Sequence, residues 1–414
     1  MIKFERFELS NGLRVIFHKD ASSPVAAFNL LYDVGARDED PNRTGFAHLF
    51  EHLMFGGSAN IPEFDTPLQD AGGQSNAFTS NDVTNYYITL PASNIETAFW
   101  LESDRMNLLA FTNKSLEIQR KVVIEEFKQR YLNQPYGDVW LLLRPLCYKT
   151  HPYQWATIGK NIEHIKEANI QEVKSFFFKH YTPLNAILSI VGDLDIVDIK
   201  RMAEKWFGSI EKRRPYSRDL SIEPVQQKMR ELSVERDVPN DAIYMAFHMD
   251  KRSGNDFHTI DLISDLLSRG KSSRFHQKLI KNNPKFIDLS AFVMGSLDNG
   301  LFIISGKPVP GVGLNEAYDL ICNELQDVKE KLIKKRELQK LKNKIISSKT
   351  FQEISNLNKA MSLCFHELIG DADQINSDLS KYESISSERI REVARMLFSE
   401  NNCNVLYYKS SQHA

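Results

Sequence analysis

Hydrophobic and polar positions along this chain change their period several times. Segments 13–18 and 26–34 are dense in β-branched and aromatic residues and predict strands, with Asn11-Gly12 as the turn of a strand–turn–strand opening. A helix is predicted over 44–55, closed by Gly56-Gly57. Next come a short polar strand flanked by glycines within 72–80 and a strand over 84–90. Helical spacing returns over 94–109, with Ile95, Ala98, Phe99 and Leu101 apolar, and again over about 114–132. There Ile118, Val122, Val123 and Phe127 predict the buried stripe. A phenylalanine-rich helix at 173–181 and a strand at 186–191 complete this first run of elements.

The pattern then recurs. After 212–227, a polar, charged stretch with two prolines that reads as a linker, Met245-Ala246-Phe247-His248 answers Ala26-Ala27-Phe28-Asn29. The segment 48–57 aligns with 261–270, and 173–178 followed by 185–188 resembles 393–398 followed by 404–406. The expected fold class is therefore α+β, with two homologous domains, each a mostly antiparallel sheet packed with helices. The expected division is 1–211, linker 212–227, and 228–414.

Composition narrows the function classes. A formal charge of −2 gives no broad attraction to nucleic acid or anionic membrane, and the basic run 329–344 reads as a solvated amphipathic helix. No apolar run reaches the roughly 20 residues of a membrane helix. The opening segment lacks a signal-peptide core, so a cytoplasmic protein is expected, or a periplasmic one if a leader has been removed. Four widely spaced cysteines, 147, 322, 364 and 403, indicate neither a disulfide framework nor a thiolate metal site.

Candidate chemistry concentrates in His48-Leu49-Phe50-Glu51-His52. On a helix, His48 and His52 share one face and can grip one metal ion, while Glu51 reaches the same pocket as a base for a water that the metal activates. Glu126 lies near the apolar face of its helix, where a lone carboxylate needs a cation. It is the candidate third ligand, the alternative being a boundary glutamate paired with a Lys or Arg. The polar strand within 72–80 reads either as a sheet edge able to accept an extended peptide or as an ordinary exposed hairpin.

NGLRVI at 11–16, DVGARDE at 33–39, GFAHLFEHLMFGG at 45–57, GGQSNAFTSNDVTNYY at 72–87, ESDRM at 102–106, RKVVIEE at 120–126, HPY at 151–153 and YTPLNAILSIVGD at 181–193 together resemble the M16 peptidase family. This is the pitrilysin-type group of HxxEH zinc metallopeptidases, and the likeness is to its short-subunit branch akin to mitochondrial processing peptidase. The second half matches in outline, through SSRFHQKL at 272–279. The resemblance implies one zinc held by His48, His52 and Glu126, with Glu51 as general base. It further implies that Asn76, Ala77, Phe78 and Thr79 pair with the substrate backbone, making the chain a zinc endopeptidase for unfolded peptides. Where the family has a second glutamate two turns ahead of the third ligand, this chain has Gln119. Where active members place an Arg and a Tyr that steady the tetrahedral intermediate, it has Ile280 and Ile287. The family precedent then implies a dimer, with a heterodimer favoured over a homodimer and the zinc-free partner supplying that pair. A non-catalytic scaffold subunit, or a zinc hydrolase for other substrates, is the rival reading; in the second copy Asp261, Ser264 and Asp265 stand at the motif positions.

Overall fold

Alternation of the Val-, Ile-, Phe- and Tyr-rich segments builds two sheets. In the computed structural model, which describes residues 1–213 and 216–413, the first sheet holds β1 (Glu5–Glu8), β2 (Arg14–Lys19), β3 (Val25–Tyr32), β4 (Gln74–Thr79), β5 (Thr84–Pro91) and β6 (Ala186–Gly192). Their spatial order is β1-β2-β6-β3-β5-β4. The second sheet holds β7 (Arg230–Arg236), β8 (Ala242–Met249), β9 (Phe286–Met294), β10 (Gly300–Pro308) and β11 (Cys403–Ser410), in the order β7-β11-β8-β10-β9. Apart from the extra β1 the two orders coincide strand for strand. In each sheet one pair is parallel, β2 with β6 and β7 with β11, and the remaining pairs are antiparallel. A duplicated α+β fold is what the repeat in the sequence predicts.

The chain divides into two units, and both are discontinuous. The first comprises Met1–Gln129, Trp155–Leu220 and Thr350–Ser377; the second comprises Arg130–Gln154, Ser221–Lys349 and Asp378–Ala414. This differs from the contiguous spans 1–211 and 228–414. The helix Val139–Cys147 belongs with the second sheet, where Val139, Leu143 and Cys147 pack on Ala242, Ala246 and Leu406. Reciprocally, the helix Asn356–Leu368 covers the first sheet, where Ala360, Leu363 and Cys364 pack on Ile16, Ala27, Leu31 and Ile187. An amphipathic pattern reveals that a helix has an apolar face, not which sheet that face meets. Of the expected linker, 214–215 fall outside the described residues, 216–220 belong to the first unit and 221–227 to the second.

In the first unit Phe28, Phe99 and Phe207 form one buried aromatic group. All four cysteines are free, and no helix among the described residues is long and apolar enough to cross a membrane.

Candidate metal centre

The motif helix spans Phe46–Met54 and starts from Gly45 in the left-handed region, φ 90°. A Cβ there would lie 2.7 Å from the Ile158 carbonyl oxygen, so only glycine fits. Glycine offers no side-chain cap, and the helix takes its cap from Glu39. That buried carboxylate accepts from the Gly45 N–H (2.8 Å), the Ala47 N–H (2.9 Å) and the Trp155 indole N–H (3.1 Å). Burial pushes the Glu39 carboxyl up to about 8, against the pull of these three donors. Leu49, Phe50, Leu53 and Met54 are buried, with Phe50 stacked on Phe176 and Tyr181 at centroid distances of 5.0 and 5.3 Å. With that face fixed inward, the other carries His48, Glu51 and His52.

Glu126 comes from the helix Asn113–Phe127, whose start is capped by the Thr112 hydroxyl accepting from the Ser115 N–H. Val123 and Phe127 are buried, as expected, but Ile118 and Val122 are 49% and 45% exposed, so the buried stripe is narrower than predicted. Glu126 is half-buried beside the motif helix.

His48 Nε2 lies 3.5 Å and His52 Nε2 3.3 Å from Glu126 Oε2. The two imidazoles are nearly perpendicular, at 85°. One ligand atom from each of the three residues falls within 4.8 Å of the others. Two donors, each about 2.0–2.1 Å from a tetrahedral zinc, sit about 3.3–3.4 Å apart. The donor set and its spacing therefore fit zinc with three protein ligands, the form that keeps a fourth position for water or substrate. Among the described residues no other group of His, Cys, Asp and Glu has such spacing.

Glu51 is held next to this triad. Its Oε2 accepts from the Thr79 hydroxyl at 2.6 Å. Burial raises its pKa above the ordinary carboxylate range; the Thr79 hydrogen bonds and the neighbouring His52 oppose that rise, and Glu126 adds to it. Thr79 ends β4, the outer strand of the sheet. Ser80 N–H donates to the Val83 carbonyl, which fixes the parity of the ladder. Even-numbered residues of β4 bond to β5, and the amide groups of Ser75, Ala77 and Thr79 face the open edge. Of the four predicted strand residues, Asn76 and Phe78 turn their exposed side chains to the sheet face opposite Ala77 and Thr79. The Asn76 Oδ1 accepts from the Ala77 N–H at 2.8 Å.

Two contributors escaped the sequence reading, Glu39 and the Thr79 hydroxyl. Gly45 occupies the cap position and the Thr44 hydroxyl before it accepts instead from the Lys160 N–H at 3.0 Å, so the sequence around the helix start does not name the residue that supplies the cap. In the second copy the corresponding helix is Phe257–Ser268. There Asp261 accepts from the Tyr382 hydroxyl at 2.7 Å, Ser264 donates to the Asp261 carbonyl at 2.8 Å, and Asp265 pairs with Arg269 at 3.2 Å.

An HxxEH helix completed by a glutamate from a second helix, on one of two homologous α+β units, defines the inverted-motif class of metallopeptidase. The chain belongs to the M16 peptidase family: residues 14–137 match the model for insulinase (peptidase family M16), and 167–345 the model for the peptidase M16 inactive domain. It is similar to the zinc protease PqqE of Helicobacter pylori, 29% identical over 80% of this chain and 75% of that one. The mitochondrial-processing peptidase subunit beta of Saccharomyces cerevisiae is 27% identical over 50% of this chain and 44% of its own. A crystal structure of a protease from Helicobacter pylori superposes with a TM-score of 0.93 at 25% identity, covering 99% of this chain and all of the other.

Proposed function

We propose that this chain is a zinc-dependent endopeptidase for unfolded peptide segments and the zinc-bearing half of a two-chain assembly. The observation that carries the reading is the convergence of His48, His52 and Glu126 within 4.8 Å of one another, with Glu51 alongside. A zinc ion held there would polarise the scissile carbonyl and lower the pKa of a water. The chain's own groups do the rest. An extended peptide pairs with the open edge of β4, taking the Ala77 N–H in exchange for the Asn76 side chain, which recognises backbone rather than particular side chains. Glu51 accepts the proton of the attacking water and returns it to the departing amine, a contribution worth about 10²–10⁴-fold.

The reading of a partner rests on what stands at 280 and 287. Ile280 packs against the core of the second unit and Ile287 is exposed on β9, and neither can donate to an oxyanion. Such a donor is worth about 3 kcal/mol of barrier, which a second subunit would supply. That a similar protein is named a subunit is consistent with this arrangement.

Mass spectrometry of a mixture of unstructured peptides, incubated with the purified chain of measured zinc content and with Glu51→Gln, tests the proposal. Cleavage lost in Glu51→Gln with zinc retained supports the peptidase. Zinc bound without cleavage directs the search to a partner carrying the missing donors, and full activity of the isolated chain removes the need for one. Neither zinc nor cleavage leaves a non-catalytic binding subunit.

A further inference from the structure

The general base and the strand that takes the peptide are joined through Thr79, whose hydroxyl donates to Glu51. We infer that Thr79 is a positioning residue for the reaction: its hydroxyl holds the Glu51 carboxylate in the orientation that receives the proton. The inference rests on the proposed role of Glu51 and adds to it a residue whose side chain has no part in that mechanism.

A glutamate on a helix surface has three side-chain torsions and settles only where something holds it. On the motif helix, neither His48 nor His52 does so, because both direct Nε2 at Glu126. Thr79 does. Its Oγ1 donates to Glu51 Oε2 at 2.6 Å, the length of a strong hydroxyl–carboxylate bond, and the Thr79 backbone N–H adds to it. The donor is itself rigid. Threonine is β-branched and stiff at χ1, and this one is the last residue of a strand paired in register with β5 from Gln74–Thr89 to Thr79–Thr84. With Oε2 occupied, Oε1 is the oxygen left to receive the proton.

The placement has a second meaning. The amide of Thr79 lies on the same open edge as that of Ala77, one outward position along. A peptide that pairs beside Ala77 therefore docks on the element that aims the base. One strand sets both where the backbone lies and where the carboxylate points. A serine in its place keeps the donor and loses the stiffness; a valine keeps the shape and loses the donor.

The experiment compares the full-length zinc-loaded chain with Thr79→Val, Thr79→Ser and Glu51→Gln, with the partner subunit present if turnover requires it. Steady-state kinetics on one unstructured peptide are read together with zinc content. Affinity of the zinc-depleted proteins for the same peptide, fluorescently labelled, is a readout independent of turnover. Thr79→Val is expected to lower kcat about ten- to a hundredfold with KM, zinc content and peptide affinity near the parent's, and Thr79→Ser to recover most of kcat. Thr79→Val with the parent's kcat overturns the inference. So does a loss carried by KM and by peptide affinity, which would make Thr79 a substrate contact only. A serine variant as impaired as the valine one also overturns it, since the hydroxyl would then not be what matters. An active parent with inactive Glu51→Gln and unimpaired Thr79→Val sinks this inference alone, whereas a parent without turnover even beside its partner subunit sinks the peptidase reading with it.

Discussion

In the first unit the helix Phe46–Met54 turns His48, Glu51 and His52 to one side, and both imidazoles converge on a carboxylate from another helix. In the second, the helix Phe257–Ser268 follows the equivalent strand of a sheet with the same strand order, yet its polar groups are spent nearby. Asp261 is taken by Tyr382 and Asp265 by Arg269, a residue of the same stretch of chain. The difference teaches that the duplicated fold supplies a helix with one face buried and one presented, and nothing more. Chemistry follows only where the presented groups are left to a common point rather than satisfied one by one.

The largest expected effect breaks the comparison at its metal. Removing one ligand by His52→Ala should cost about 4 kcal/mol of the roughly 10–16 kcal/mol that zinc sites provide, near a thousandfold in affinity. Asp265→Ala, at the matching place in the second unit, should leave one zinc per chain; competition with a chromogenic chelator reads both. Next in size is a difference in how each unit holds its charges. Glu102 and Arg105 form a fully buried pair, Nε to Oε2 at 2.7 Å, with the guanidinium over Tyr86 and Phe64 at 4.4 and 4.5 Å. Glu102→Ala should cost about 3–5 kcal/mol by stranding that cation, lowering a thermal midpoint by about 6–15 °C. Lys278, which pairs with Glu324 and Asp327 at the surface of the second unit, should cost under about 1 kcal/mol as Lys278→Ala.

A smaller effect sharpens the comparison at the helix start. Glu39→Ala removes the acceptor for two helix N–H groups and should weaken zinc binding about tenfold, whereas Asp256→Ala ahead of the second helix should not change it. A pH effect is confined to the first unit. His180 is fully buried between Phe176 and Tyr216, and burial, helped by Lys179 and Arg218, lowers its pKa to about 3. Below about 6.5 the unfolded chain takes up a proton that the folded chain refuses until about 3, so stability falls as pH drops through that window. At pH 5 the loss is about 2 kcal/mol, and His180→Phe should flatten the pH dependence of the melting temperature.

Much of this was legible in the order of residues. The motif helix could be read because its period, its glycine stop and its histidine spacing are all local. Glu126 could be singled out, though partly on a stripe that includes the exposed Ile118 and Val122; Val123 and Phe127 alone fix its helix. The repeat was visible because both copies keep the apolar faces that their sheets demand. What stayed hidden depends on partners distant in sequence. Cys364 reaches the carbonyls of Asn29 and Ile187, and Glu39 caps a helix across a loop. No periodicity carries that information.

The reciprocal assignment of helices also governs the order of events during synthesis. Strands β1 to β6 are complete once Gly192 has emerged, but the helix Asn356–Leu368 that covers their other face is still unmade. At about 5–20 residues per second the ribosome leaves that sheet half-clothed for roughly ten to thirty seconds. Through that interval the nascent chain presents the Ile16, Ala27, Leu31 and Ile187 surface to whatever is nearby. A chaperone that binds apolar sheet faces should be found on ribosomes stalled between those two points and absent once Leu368 is clear.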